Sequence, residues 1–184
     1  MKALENYSKE FLPNLELADF SHDTLVKLLA LYSQLYIAMD GFWYLAVMER
    51  SGNKEALACD MKAWQRGTKY EMRRITEALN IRGGTVTAFM KALQVTPWCQ
   101  KMQCKIDVEN ENNATFTVTY CPTLDALEKE GKGREVEICT VVEPKVLKQY
   151  ASFFDSDIQV KPLTQLPRKN KDDICCQWAF RLER

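Results

Sequence analysis

Cys121, Cys139 and the neighbours Cys175 and Cys176 are four of the seven cysteines in this chain, and all four fall in its second half, beside segments patterned as strands or helix starts. Thiolates that converge from fixed elements hold soft or borderline cations. These four are therefore the candidate metal ligands, with zinc as the first cation to consider and an iron–sulfur cluster as the second. Their spacing lacks the short C-x2-C pairs that mark zinc sites, and buried cysteines are also common core residues. The residue types thus support a ligand set and a set of packed thiols alike. Cys99 and Cys104 add a C-x4-C spacing at the entry to the sheet, which is permissive for a metal without specifying one.

Cys121 carries a second possibility. It precedes Pro122, a residue suited to the first position of a helix, so its sulfur is expected at a helix amino end, where unpaired N–H groups and the dipole favour a thiolate. A depressed pKa would suit a nucleophile as well as a ligand. Nucleophilic catalysis also wants a base, and the only histidine, His22, belongs to the first turn of a helix, where a solvent-facing position is the simpler reading. Asp40 is the other candidate catalytic group. It interrupts the apolar run around Met39, Phe42, Trp43 and Tyr44, and a carboxylate there must be paired, hydrogen-bonded or turned to a cavity. A salt bridge to Arg73 or Arg74 is the plain alternative. Glu49, Trp64 and Glu71 could border the same cavity, and Gly41 suggests close approach of another element.

The elements that must position these groups read clearly in outline. Ser21 caps a helix whose apolar positions Leu25, Leu28, Tyr32, Leu35, Met39, Phe42 and Ala46 recur at steps of three and four up to Ser51–Gly52. Leu35 to Met48, too short to span a bilayer, is read as core. A second helix starts near Asn53, with Leu57, Met61, Trp64, Thr68, Met72, Ile75 and Leu79 on one face and basic residues on the other. A third runs from Thr85 to Leu93. After Pro97 the period drops to two: Met102 to Val108 and Phe116 to Tyr120 form a hairpin around Glu109–Asn113. A short helix follows Cys121–Pro122 and stops at Gly131. Val136–Val142 reads as strand or helix, Pro144–Phe154 as helix, and Ile158–Leu163 and Ile174–Leu182 as strands. On the last strand Cys175 and Cys176 point to opposite faces.

The fold class is therefore α+β: an amino-terminal antiparallel helical hairpin and a third helix packed with an antiparallel sheet and short helices. Residues 1–184 form a single domain, with a helical part over 21–95 and a sheet-containing part over 101–184. Twenty-five basic and twenty-five acidic residues cancel, so no nucleic-acid partner is expected. Nor is a membrane one. No apolar run with a cleavage site follows Met1, so the expected location is cytoplasmic. Walker, dinucleotide, zincin and nucleophile-elbow motifs are all lacking.

The blocks Leu31–Ser33, Met39–Trp43, Glu49, Gly52, Ala56 and Trp64 resemble the opening of a family of small bacterial and archaeal proteins, domain of unknown function 6125. Cys121–Pro122, Gly131, Cys139, Tyr150, Pro167 and Cys176–Phe180 resemble its close. The resemblance implies distant similarity to 2-amino-thiazoline-4-carboxylate hydrolases and, more remotely, to vinyl-reductase-type ligand-binding domains. It also implies a shared scaffold with a cysteine-bearing pocket. Similar proteins carry a further cysteine where this chain has Lys161–Pro162–Leu163, and Cys175 beside Cys176 would have to compensate. Three functions follow as expectations. The first is a protein binding a small-molecule ligand or metal. The second is a hydrolase of small amide or ring substrates using Cys121, or a metal-bound water, near Asp40. The third is a homodimeric interaction protein joined through the aromatic first helix.

Overall fold

A computed structural model describes residues 3–183. Ser21 caps α1 (His22–Ser51) by accepting the Thr24 N–H, as its sequence position predicts. The chain reverses at Gly52, whose φ of 84° only glycine adopts without strain, and enters α2 (Asn53–Ala78). Thr85 caps α3 (Val86–Leu93) through the Ala88 N–H. The hairpin of β1 (Gln103–Asn110) and β2 (Asn113–Tyr120) turns where the Asn110 side chain accepts the Asn112 N–H. Next come α4 (Pro122–Glu130), closed by Gly131 in the left-handed region, and α5 (Arg134–Glu137). A single π turn (Ile138–Val142) leads into α6 (Glu143–Phe154), and the strands β3 (Gln159–Pro162) and β4 (Cys176–Arg181) complete the chain. The ambiguous stretch Val136–Val142 is thus helical.

The four strands form one antiparallel sheet in the order β1-β2-β4-β3. Phe116 faces Trp178 and Ala114 faces Phe180 across the central pair, so alternate residues of β2 and β4 supply the inner surface. Against it lie Phe89 and Leu93 of α3 and Leu147 and Tyr150 of α6, all fully buried. Phe89 meets Phe180 edge to face at 5.2 Å. α2 packs on α6, and α1 packs on α2. The order of layers is sheet, α3 with α6, α2, then α1 outermost.

That order corrects two expectations about α1. Its stripe is not core: Met39, Phe42 and Trp43 keep 68, 67 and 61 % of their surface exposed, while Ser33 and Tyr44 are buried. An outermost helix has only one side to bury, and one that is apolar nearly all round gives no sign of which. Gly41 is not a close-packing position either, since a Cβ there would meet nothing within 4 Å.

Candidate functional site

Four elements bring Cys121, Cys139, Cys176 and a carboxylate, Glu143, into electrostatic reach of one another. Cys121 is the amino-terminal cap of α4, Cys139 lies in the π turn, Glu143 opens α6 and Cys176 opens β4. Burial pushes the Glu143 carboxyl up to about 7. No hydrogen bond or ion pair to another described residue satisfies it. The three thiols are also driven upward, first by burial and then by Glu143: Cys121 and Cys139 to about 12, Cys176 further.

Cys121 does accept the Leu124 N–H at 3.5 Å, as a helix-end sulfur should. Desolvation outweighs that donor, however, so the expected depressed pKa is replaced by a raised one. A thiol with a pKa near 12 is protonated at neutral pH and is a poor nucleophile in that state. The cluster is bordered by two buried polar atoms that lack hydrogen-bond partners among the described residues, the indole N–H of Trp178 and Oε2 of Glu135. Trp178 is fully buried and its indole favours the anionic form of Cys176, while Glu135 lies near enough to Cys139 to raise it.

Cys175 borders the same cluster, raising Cys121 and Cys139 in turn, but its sulfur has partners of its own. The Arg168 guanidinium, held to Glu128 by bonds of 2.8 and 2.7 Å, donates to its sulfur at 3.6 Å, and the sulfur is directed to the Thr119 carbonyl at 3.4 Å. Adjacent residues of an extended segment separate in this way. Among the described residues no group of three or more His, Cys, Asp or Glu is arranged so that it could hold a metal ion.

Asp40 belongs to a second cluster, between α1 and α2. Its electrostatic neighbours are Tyr36 and Asp60, whereas those of Cys121 are Glu143 and Cys175. Burial raises Asp40; burial and then Asp40 raise Asp60 to about 7, opposed by a hydrogen bond from Trp64. Arg73 and Arg74 do not pair with Asp40. Both stack on Tyr70, and Arg74 meets Glu77. Deeper in, the Trp98 Nε1–H donates to Tyr150 Oη at 3.0 Å, Tyr150 donates to Glu71 Oε2, and Glu71 Oε1 is buried with no partner among the described residues. Glu49 carries no interaction with this network, and His22 is exposed.

Sequence reasoning missed Glu143, Glu135 and the Trp178 N–H. Glu143 sits among other charged residues beside Pro144, with no spacing to distinguish it. The only available signal was its position at the amino end of a helix whose preceding turn carries Cys139.

The apolar face of α1 is the remaining feature. Leu29, Leu31, Tyr32, Leu35, Tyr36, Met39, Phe42 and Trp43 are all exposed, and the 3.6-residue repeat sets them on one half of the helix circumference, with Ser33 and Tyr44 on the other. Their exposed surface is on the order of 900 Å², beyond what monomers commonly leave uncovered in one patch. No helix among the described residues is long and apolar enough to cross a membrane.

No curated protein and no solved structure matches this chain. A family of unknown function, DUF6125, matches residues 18–182, a span that takes in α1, the whole sheet and all seven cysteines. The chain belongs to the DUF6125 family.

Proposed function

We propose that this protein is a homodimeric interaction protein that pairs through α1. The observation that carries the reading is the uncovered apolar half of that helix. About 800 Å² per partner is the area of a standard stable interface, and the face supplies that much. From Leu28 to Met48 the only charged residue is Asp40, which lies on the other half of the helix, so a two-fold pairing of α1 with its copy traps no charge. A differently charged partner has nothing on this face to recognise.

The expected solution mass is twice the 21.3 kDa of the chain. The variant Met39→Glu with Phe42→Glu should weaken self-association at least tenfold, about 1.4 kcal/mol, in sedimentation equilibrium while leaving the helical circular dichroism unchanged. A monomer at every concentration, a dimer indifferent to both glutamates, or a monomer that partitions onto neutral phospholipid vesicles would each overturn the reading.

A second reading is favoured by the orphaned Trp178 N–H: a soft-cation or small-ligand site at Cys121, Cys139, Cys176 and Glu143. Binding zinc would require these side chains to draw together and release their protons, so uptake should strengthen with rising pH. The anion formed at Cys176 would supply the acceptor that the indole lacks. Cadmium titration followed by thiolate-to-metal absorbance should saturate at one ion per chain. Cys121→Ser, Cys139→Ser and Cys176→Ser should each weaken uptake at least tenfold, and Cys175→Ser should weaken it less, because the Cys175 sulfur is engaged by Arg168. Uptake that is absent, or equal in all four variants, removes this reading. Binding is preferred to hydrolysis because the Cys121 thiol is held protonated and Asp40 lies in another cluster.

A further inference from the structure

The sulfurs of Cys99 and Cys104 are 3.4 Å apart. No other pair of cysteines among the described residues makes a sulfur–sulfur contact. Both residues are fixed from behind. The Cys99 N–H donates to the buried Thr96 hydroxyl at 3.3 Å, and that hydroxyl donates to the Leu93 carbonyl at 2.8 Å. Cys104 is held in β1 opposite Val118, next to a register irregularity at Gln103 that gives the strand local freedom. The two thiols also share the wall of an open cavity of about 330 Å³ with Gln94, Gln100 and Met102. Cys104 is half-buried, and Cys99 lies behind it with only 4 % of its surface exposed.

We propose that Cys99 and Cys104 form a reversible dithiol site that exchanges with low-molecular-weight disulfides. A small disulfide RSSR enters the cavity, and the Cys104 sulfur attacks one of its sulfurs. The S–S bond of RSSR breaks, and one RSH leaves with the Cys104 proton. Burial, and then the neighbouring Cys104 sulfur, hold the Cys99 thiol protonated, as burial holds Cys121. The second step therefore relies on contact with Cys104 and quickens as pH rises: Cys99 attacks the Cys104 sulfur of the mixed disulfide and expels the second RSH with its own proton. Two protein thiols and RSSR thus become one protein disulfide and two RSH. The second step needs the sulfurs to close by about 1.4 Å to a bonded separation near 2.05 Å. Holding them in contact makes that step intramolecular, at high effective concentration, so the mixed disulfide does not accumulate. The site is separate from the thiols around Glu143 and needs neither function proposed above.

The test uses the full chain, reduced and then equilibrated in buffers of increasing oxidised-to-reduced glutathione ratio, quenched in acid, alkylated and digested with trypsin. Cleavage after Lys101 and Lys105 separates Cys99 from Cys104, so only their disulfide keeps the peptides Ala92–Lys101 and Met102–Lys105 together. That linked pair should rise with the ratio, exceed every other cysteine pairing at least tenfold, and disappear on return to excess reduced glutathione. In Cys99→Ser the glutathione adduct should instead persist on Cys104. The proposal is overturned if the wild-type chain keeps both thiols alkylatable throughout, or if it stops at glutathione on Cys104 with Cys99 free. Neither outcome depends on a variant folding.

Discussion

Tyr150→Phe is expected to lower the unfolding free energy by about 3 kcal/mol, because one buried hydroxyl satisfies two other buried groups. Tyr150 is fully buried on α6, accepts from the Trp98 indole and donates to Glu71. It thereby ties the turn before β1 and the middle of α2 to α6, and its ring packs against Trp98 at 5.8 Å. Removing only the oxygen keeps that ring packing and leaves the Trp98 N–H with no acceptor. It also leaves Glu71 with both carboxylate oxygens unpaired, since Oε1 already lacks a partner. A desolvated donor or acceptor without a partner costs about 1–3 kcal/mol, so the two losses together outweigh a single ordinary hydrogen bond. The same reasoning predicts a partial rescue. Glu71→Leu in the Tyr150→Phe background removes the stranded carboxylate and should recover about 1 kcal/mol, although Glu71→Leu alone destabilises. Urea unfolding of the four proteins in this cycle measures both numbers. A loss below about 1 kcal/mol in Tyr150→Phe, or additive effects in the double variant, would mean that the network is not what joins these elements.

Much of the scaffold that holds this network is written locally. Ser21, Thr85 and Cys121–Pro122 mark helix starts through side chains that accept a specific N–H, and the alternation through Ile106, Phe116 and Val118 leaves one choice of buried face. Local signals fail where the deciding contact is distant. α1 is apolar nearly all round, so its periodicity announces a helix without saying which side α2 covers. Val136–Val142 is rich in β-branched residues and reads equally well as a strand. It stays helical because Gly133 starts a turn that runs without a break into α6, and Val142 is buried there. The thiol cluster was half legible. Cys121, Cys139 and Cys176 do come into electrostatic reach of one another, since the end of β2 and the start of β4 lie side by side at one end of the central strands, but their carboxylate partner sat among surface-like charges. Trp98, Glu71 and Tyr150 had no spacing to connect them. Only the stacking of α2 on α6 does so.

Acidic groups raised by burial make a second large effect predictable: the fold should be most stable near pH 4 and weaken as pH rises towards 8. Asp60, only 8 % exposed on α2, is raised from 3.8 to about 7, and Glu143 from 4.5 to about 7. A carboxyl whose folded pKa exceeds its unfolded one holds a proton that the unfolded chain releases. Below the unfolded value both states are protonated and nothing is lost. Between the two values the folded state binds more protons, so stability falls as pH rises, and above about 7 the full penalty remains. At about 1.4 kcal/mol per unit, the Asp60 shift alone accounts for about 3 kcal/mol between pH 4 and pH 8, allowing for relaxation around the charge. The groups that set it are Asp40, which repels the anion, and Trp64, which favours it. Asp60→Asn keeps an acceptor for the Trp64 indole and removes the ionisation. It should therefore match the parent at pH 4 and exceed it by about 3 kcal/mol at pH 8, with Asp40→Asn giving a smaller gain at pH 8 by relieving the repulsion. Denaturant unfolding at fixed protein concentration across pH 4–8 reads these differences directly. Parallel curves for the parent and Asp60→Asn would show that Asp60 ionises as freely in the folded chain as in the unfolded one, and the buried carboxylate pair between α1 and α2 would then have no energetic role.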